Sequence, residues 1–242
     1  MTALVACGHG TRSAEGRAAV ASLVSAVRAA SVVPVLDAFV DVHGPFVDEV
    51  VASVSGDAVV VPLLLAPGYH VRVDIARAVA PWSAAVAPAL GPSPLLTSLL
   101  TDRLRAAGAQ PGDAVVLGAA GSSDDASDVS VRAAARSLSV AWGAPVTVAY
   151  GASRTPLLAD EVARLRSHTS GRVVVASYLL ATGHFHRRIL ASGADLVTAP
   201  LLDGGEPDSR LVELVRERFL DGTLAGRGRS SEEPRRSSLS PG

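Results

Sequence analysis

Short apolar runs alternate with amphipathic, alanine-rich stretches along most of the chain. The run VVVPLLL at 59–65 is apolar at every position, which is typical of a strand that helices cover on both faces. Because such strands alternate with helical patterns, the sequence predicts an α/β protein with parallel sheets. In the first half, the predicted strands are 2–7, 33–40, 58–65 and 84–90, and the predicted helices are 12–30, 45–54, 71–80 and 94–107.

The same order of landmarks returns in the second half of the chain. Gly121 follows Gly10 by 111 residues, and Pro156 follows Pro45 by the same interval. The repeat predicts two tandem duplicated lobes, each a small parallel sheet with flanking helices. The predicted strands of the second half are 114–119, 146–151, 172–180 and 196–202. The predicted boundaries are 1–110 for the first lobe, 111–222 for the second, and 223–242 for a disordered tail rich in Ser, Arg, Gly and Pro.

Three histidines and one aspartate stand where strands of the first lobe are predicted to end. His9 follows the first strand, Asp41 and His43 follow the second, and His70 follows the third. Ligands of parallel α/β sheets bind beyond the carboxyl ends of the strands, so these side chains are expected to converge. Imidazole suits divalent iron, cobalt, nickel and zinc, and it accepts protons near neutral pH. Both properties suit the insertion of a metal ion into a macrocycle, because the ion displaces two pyrrole protons.

The second lobe keeps the repeat but not this polar set, since Ala120 stands in the place of His9. Its segment GHFHRR offers basic and imidazole side chains instead, namely His184, His186, Arg187 and Arg188. Aligning the glycines at 68 and 183 pairs His184 with Tyr69, whereas aligning the isoleucines that follow pairs it with His70. The sequence leaves both alignments open, and it leaves open whether His184 or His186 joins the site.

Composition narrows the class of protein. The 242 residues are 48% hydrophobic with a net charge of −1 at pH 7 and only 4% aromatic residues, which predicts no nucleic-acid or membrane partner. Cys7 is the one cysteine, so no disulfide framework is possible. We expect a cytoplasmic protein, because no signal peptide and no membrane-spanning run is recognisable.

The motifs GHGTRS, FVDVHGP and PLLLAPGYHVRVDI, in this order, resemble those of the sirohydrochlorin chelatases. These class II tetrapyrrole chelatases insert Fe2+ or Co2+ into sirohydrochlorin, and the resemblance covers about residues 1–221, including the duplication of the long members. It implies a chelatase-like, flavodoxin-like three-layer α/β/α fold and a lyase without ATP or a cofactor other than the substrate metal. The product would serve sirohaem or cobalamin biosynthesis, and the duplicated chain is expected to be a monomer. The sequence does not choose between iron and cobalt.

The resemblance also implies roles for individual residues. His9 and His70 are expected to bind the metal and, with Asp41, to form the catalytic set. Asp41 stands where the family usually has a glutamate, and Tyr69 replaces a glycine of the family's usual GGH. Side chains expected to contact the acidic tetrapyrrole are Arg12, Tyr69, Arg72, Ser122, Ser123, Arg154, His184, Arg187 and Arg188.

Two other functions compete with metal insertion. GHGTR faintly resembles the Arg-His-Gly motif of histidine phosphatases, although Gly8 stands where those enzymes have arginine. A non-catalytic metal carrier or tetrapyrrole-binding module would also need a cleft between two lobes.

Overall fold

The computed structural model describes residues 1–66 and 68–230, except for the side chains of residues 69–72 and 227–230. The elements of the first repeat are β1 (Ala3–Gly8), α1 (Ala14–Ala29), β2 (Val35–Phe39), α2 (Val47–Ser53), β3 (Ala58–Pro62), α3 (Tyr69–Val79), β4 (Ala84–Val86) and α4 (Pro94–Ala106). Those of the second are β5 (Ala114–Ala119), α5 (Asp125–Trp142), β6 (Val146–Tyr150), α6 (Leu158–Arg166), β7 (Val173–Tyr178), α7 (His184–Leu190), β8 (Leu196–Val197) and α8 (Ser209–Ser230).

Two parallel four-stranded sheets carry the fold. The strand orders are β2-β1-β3-β4 and β6-β5-β7-β8, so the second sheet repeats the topology of the first. All pairings within both sheets are parallel. This arrangement confirms the predicted α/β class and the two tandem lobes with flanking helices.

The structural repeat extends to the conformation of individual turns. Gly10 and Gly121 have φ of +100° and +96°, a region that L side chains rarely adopt. A Cβ at Gly10 would collide with the carbonyl oxygen of Asp41, and one at Gly121 would collide with that of Ala152. The 111-residue offset seen in the sequence therefore relates two equivalent strand-end turns.

The last helix of each repeat packs on the opposite lobe. Helix α4 contacts β7 and α5, whereas α8 contacts β3, β4 and α1. Close packing of α8 depends on Gly222, because a Cβ there would lie 2.5 Å from Cγ1 of Val59 and 3.1 Å from Cβ of Ala87. One hydrophobic cluster consequently extends through both lobes, with smaller clusters on the outer face of each sheet.

The exchanged helices modify the predicted domain boundaries. Residues 1–110 and 111–222 are repeats in sequence, but each lobe is completed by a helix from the other. Helix α8 also continues to Ser230, into the segment 223–242 for which the sequence predicted disorder. Residues 231–242 of that segment lie outside the described residues. Among the helices that the structure describes, none combines the length and apolarity needed to cross a membrane.

Candidate functional site

A cavity of about 600 Å³ lies between the lobes, a size common for small-molecule sites. Segments that follow β1, β3, β5 and β7 line it, as the topology of parallel sheets predicts. The lining is mainly apolar and includes the segments 63–66 and 179–181. At one side the Tyr178 hydroxyl donates a hydrogen bond of 3.1 Å to the Leu65 carbonyl of the other lobe, and burial raises the pKa of this phenol.

His9 lines this cavity as the first residue after β1, and its side chain is exposed. Its carbonyl oxygen accepts the N–H of Asp41 at 3.0 Å, which ties the strand-end turn to the neighbouring strand. Steric crowding explains why glycine stands on both sides of His9. A Cβ at Gly8 would lie 3.2 Å from the ring of Phe39, and one at Gly10 would meet the Asp41 carbonyl. The GHG sequence thus holds an imidazole at the cavity wall.

The second predicted metal ligand, His70, lies in the first turn of α3. Its side chain is outside the described part of the structure, as are those of Tyr69 and Arg72. Gly68 is the N-cap of this helix and lines the cavity, so α3 begins at the cavity. A shared metal site of His9 and His70 stays a prediction.

Asp41 and His43 lie after β2 and are not among the residues that line the cavity. The exposed Asp41 carboxylate accepts the backbone N–H of Val42 at 2.6 Å. The His43 ring packs against Phe39 with centroids 4.1 Å apart, and its buried Nε2 has no hydrogen-bond partner. The Asp41 side chain is thus outside the cavity lining, although its turn is joined to the His9 turn through the backbone.

Four of the five arginines predicted to hold the substrate have described side chains, and none of the four lines the cavity. Arg12, Arg187 and Arg188 are exposed. Arg154 is directed into its own lobe, where Nε donates to the Ser122 carbonyl at 2.9 Å and Nη2 pairs with Asp125 at 2.7 Å. These contacts use its donors to hold the loop before α5, which is a structural role that the sequence did not indicate.

Among the described side chains, Arg17 is the arginine that lines the cavity, and the sequence did not indicate it. It lies on α1, one turn beyond the strand end, and its Nη1 donates to the carbonyls of Thr11 and Arg12 at 3.2 and 3.1 Å. Its position one turn after the capping Ser13 of an amphipathic helix is a signal in the sequence, but a rule based on strand ends does not include helix residues. The duplicated position is Asp128.

Asp128 is enclosed by partners from its own lobe. The Tyr150 hydroxyl donates to its carboxylate, and Arg132 pairs with it at 2.9 Å. Burial alone would raise the pKa of Asp128, but the hydrogen bonds from Arg132 and Tyr150, together with the positive charge of Arg132 and Arg154, lower it. In the second lobe the charge at this position is neutralised by Arg132 and Arg154 of the same lobe, whereas in the first lobe Arg17 lines the cavity.

The second lobe contributes both predicted serines and both candidate histidines. Ser122, Ser123, His184 and His186 all line the cavity, as does Phe185 between the histidines. Ser122 does not cap α5, because Asp124 is the N-cap and the Ser122 hydroxyl accepts the Asp124 N–H. His186 is partly buried, which lowers its pKa, and its Nε2 has no hydrogen-bond partner.

No resident metal centre is evident among the side chains that the structure describes. Within that part of the chain, no three His, Cys, Asp or Glu residues come together in a group that could hold an ion. Cys7 is buried in β1, and burial raises the pKa of its thiol to about 12. It is therefore a neutral core residue rather than a thiolate ligand.

Comparisons with known proteins agree with this architecture. In structure, the chain resembles SirB from Bacillus subtilis with Fe3+, with a TM-score of 0.77 and 20% identity over 94% of this chain and 97% of that one. The sirohydrochlorin chelatase SirB from Bacillus subtilis subspecies spizizenii, in complex with cobalt, gives 0.72 and 19% over 94% and 97%. CbiX, described as the terminal enzyme for biosynthesis of sirohaem in denitrifying bacteria, gives 0.61 and 17% over 90% and 99%.

These identities establish the fold, and the family is established by sequence. No curated protein matches the chain. The model of the CbiX family matches residues 3–107 and again residues 114–220, once for each repeat. Because these two matches cover most of the chain, the protein belongs to the CbiX family.

Proposed function

We propose that this protein is a sirohydrochlorin chelatase, a lyase that inserts Fe2+ or Co2+ into sirohydrochlorin without ATP. The observation that carries the proposal is the interlobe cavity of a CbiX-family fold with the His9 imidazole on its wall. The likeness to SirB structures that hold Fe3+ and cobalt supports the choice of metals. The family match leaves the phosphatase and carrier alternatives without support.

The residues of the first lobe supply the groups that the reaction requires. Insertion joins a divalent ion to four ring nitrogens and releases two protons, so charge balances without a nucleotide. The neutral imidazole of His9 is an acceptable ligand for either ion and an acceptable acceptor for a pyrrole proton. His70, at the start of α3, is the proposed second ligand. We assign Asp41, exposed on the adjoining turn, to carrying protons away to solvent.

The rim of the substrate is acidic, and Arg17 is placed to receive one carboxylate. It lines the cavity, and it lacks an ion-pair partner among the described side chains. The serines at 122 and 123 can donate to the same rim from the second lobe.

Both walls of the cavity come from one chain, which supports activity as a monomer. We also propose a cytoplasmic location, because the single cysteine is a buried free thiol.

The test is metal insertion followed by the change in tetrapyrrole absorbance under anaerobic conditions. The wild type is expected to exceed the spontaneous rate with Fe2+, Co2+ or both. His9→Ala is expected to lower kcat at least about 100-fold, the usual contribution of a positioned acid–base group, while metal-free sirohydrochlorin still binds. His168→Ala is the matched control, because this histidine is exposed at the end of α6 and outside the cavity lining. A wild-type rate equal to the spontaneous rate would reject the proposed activity.

A further inference from the structure

The duplication gives every position of the site a counterpart in the other lobe. A Cβ built on Gly68 would lie 4.0 Å from the Ser122 hydroxyl oxygen, and one built on Gly183 would lie 3.8 Å from the Thr11 hydroxyl oxygen. Ser122 follows Thr11 by 111 residues, so the two contacts are equivalent. The N-termini of α3 and α7 therefore face the opposite lobe's turn across one cavity, in a pseudo-twofold arrangement.

This symmetry identifies what replaces the proposed metal ligands in the second lobe. The counterpart of His9 is Ala120, 111 residues later. Gly68 and Gly183 are the N-caps of α3 and α7, so counting from the helix starts pairs Tyr69 with His184 and His70 with Phe185. The helix starts thus select one of the two alignments that the sequence left open. Where the first repeat has two imidazoles, the second has a methyl group and a phenyl ring.

Phe185 is placed to present that ring to the cavity. It lines the cavity and is 37% exposed, so it is not a core residue. Its ring lies beside the end of β6, since a Cβ on Gly151 would be 3.4 Å from the Phe185 Cδ1. His184 contacts it edge to face, with centroids 5.4 Å apart. A partly exposed phenyl ring on the wall of a mainly apolar cavity can pack against a flat apolar ligand.

We infer that Phe185 is a substrate-positioning surface on which one face of the tetrapyrrole packs. The inference rests on the proposed function, because it requires a flat macrocycle in the cavity. The second lobe then holds the ring by apolar contact, and the ion reaches the ring nitrogens from the face turned toward the first lobe. The apolar residues at 120 and 185 leave the second lobe without an imidazole at the positions equivalent to His9 and His70.

The test separates ring packing from metal ligation by measuring sirohydrochlorin binding without metal. Phe185→Ala is expected to raise the Kd about tenfold, the scale of losing one aromatic anchor. Phe185→Tyr, which keeps the ring, should stay within about twofold of wild type. Leu190→Ala is the matched control, because Leu190 is an exposed apolar residue of the same helix outside the cavity lining. In insertion assays, KM should rise with the Kd in Phe185→Ala, while kcat changes less than about twofold.

The induced circular dichroism of bound sirohydrochlorin is a second readout, since it reports how the ring is seated. We expect it to weaken in Phe185→Ala and to persist in Phe185→Tyr and Leu190→Ala. If Phe185→Ala is unstable, Phe185→Leu replaces it, with an expected rise in Kd of about threefold. Unchanged Kd, KM and dichroism in these variants of an active enzyme would overturn the inference and leave the chelatase assignment intact. A wild type that neither binds sirohydrochlorin nor inserts metal would overturn both.

Discussion

Removal of the Arg17 side chain should weaken the binding of the acidic tetrapyrrole and spare the chemical step. A hydrogen bond to a charged group contributes about 1.5–3 kcal/mol when well shielded, and an exposed ion pair about 0–1 kcal/mol. Arg17 is exposed but lines an interlobe cavity, so we place its contribution near 1 kcal/mol. That value corresponds to about a fivefold rise in KM for sirohydrochlorin.

The assay compares Arg17→Ala with Arg12→Ala at saturating metal. Arg12 is a second exposed arginine, in the loop just before α1 and outside the cavity lining, so its removal controls for net charge. Arg17→Lys keeps the charge and should restore most of the affinity. Because salt screens exposed charges, the difference in KM between wild type and Arg17→Ala should shrink as ionic strength rises.

The alternative role for Arg17 is purely structural, since its Nη1 donates to the carbonyls of Thr11 and Arg12 beside the His9 turn. Loss of those bonds alone would disturb His9 and lower kcat, with little dependence on salt. A fall in kcat at unchanged KM would therefore refute the carboxylate contact. Equal changes in KM for the Arg17 and Arg12 variants would refute it as well.

Three further predictions concern the fold. Residues 1–110 expressed alone should lack a cooperative thermal transition by circular dichroism, because α8 covers their sheet; co-expression with the remaining chain should restore it. Gly222→Val should lower the free energy of unfolding in urea by about 1–3 kcal/mol, because Val59 lies against that position. Asp113→Asn should cost about 1–2 kcal/mol at pH 7 through loss of the 2.7 Å pair with Arg172. Burial would raise the pKa of Asp113, but hydrogen bonds from Arg172 and the Gln110 N–H lower it overall. The wild-type advantage should thus be present above about pH 4 and disappear as pH falls through the lowered pKa.

The fold class and the repeat could be predicted because their signals are local. A parallel strand between helix layers must be apolar on both faces, and β3 carries that pattern through Ala58–Pro62. A turn that only glycine can make leaves a fixed landmark, and Gly10 and Gly121 therefore mark the same turn in each repeat. Strand ends then indicated His9 correctly as a cavity residue.

The helix exchange could not be predicted from the same signals. The apolar face of α8 shows that the helix covers a sheet, but it does not identify which of two similar sheets. Gly226, which lets α8 approach β4 closely, looks in the sequence like part of a glycine-rich tail. The predicted tail therefore began too early, at 223, where the helix in fact continues to Ser230.

The arginines show why side-chain contacts are harder to predict than elements. Arg154 follows the end of β6 as predicted, yet the carboxylates of Asp125 and Asp128 lie within its reach and engage it. Arg17 enters the cavity from a helix, where the rule about strand ends gives no information. Sequence order fixes where a backbone turn lies, whereas the direction of a long side chain depends on partners distant in the sequence.

The exchanged helices also bear on how a duplicated chain can assign different tasks to its halves. One hydrophobic cluster joins the lobes, and the Tyr178 hydroxyl of one lobe donates to the Leu65 carbonyl of the other. Separating the lobes would break this hydrogen bond and expose the shared core. If the Tyr178 hydroxyl and the Leu65 carbonyl stayed buried without partners, each would cost about 1–3 kcal/mol. These contacts hold the two lobes together without a ligand, which lowers the ordering cost of binding. The second lobe's strands and α8 are needed to build the cavity whatever lines it, so the scaffold does not require imidazoles at positions 120 and 185. The proposed ligands His9 and His70 are then needed in the first lobe alone.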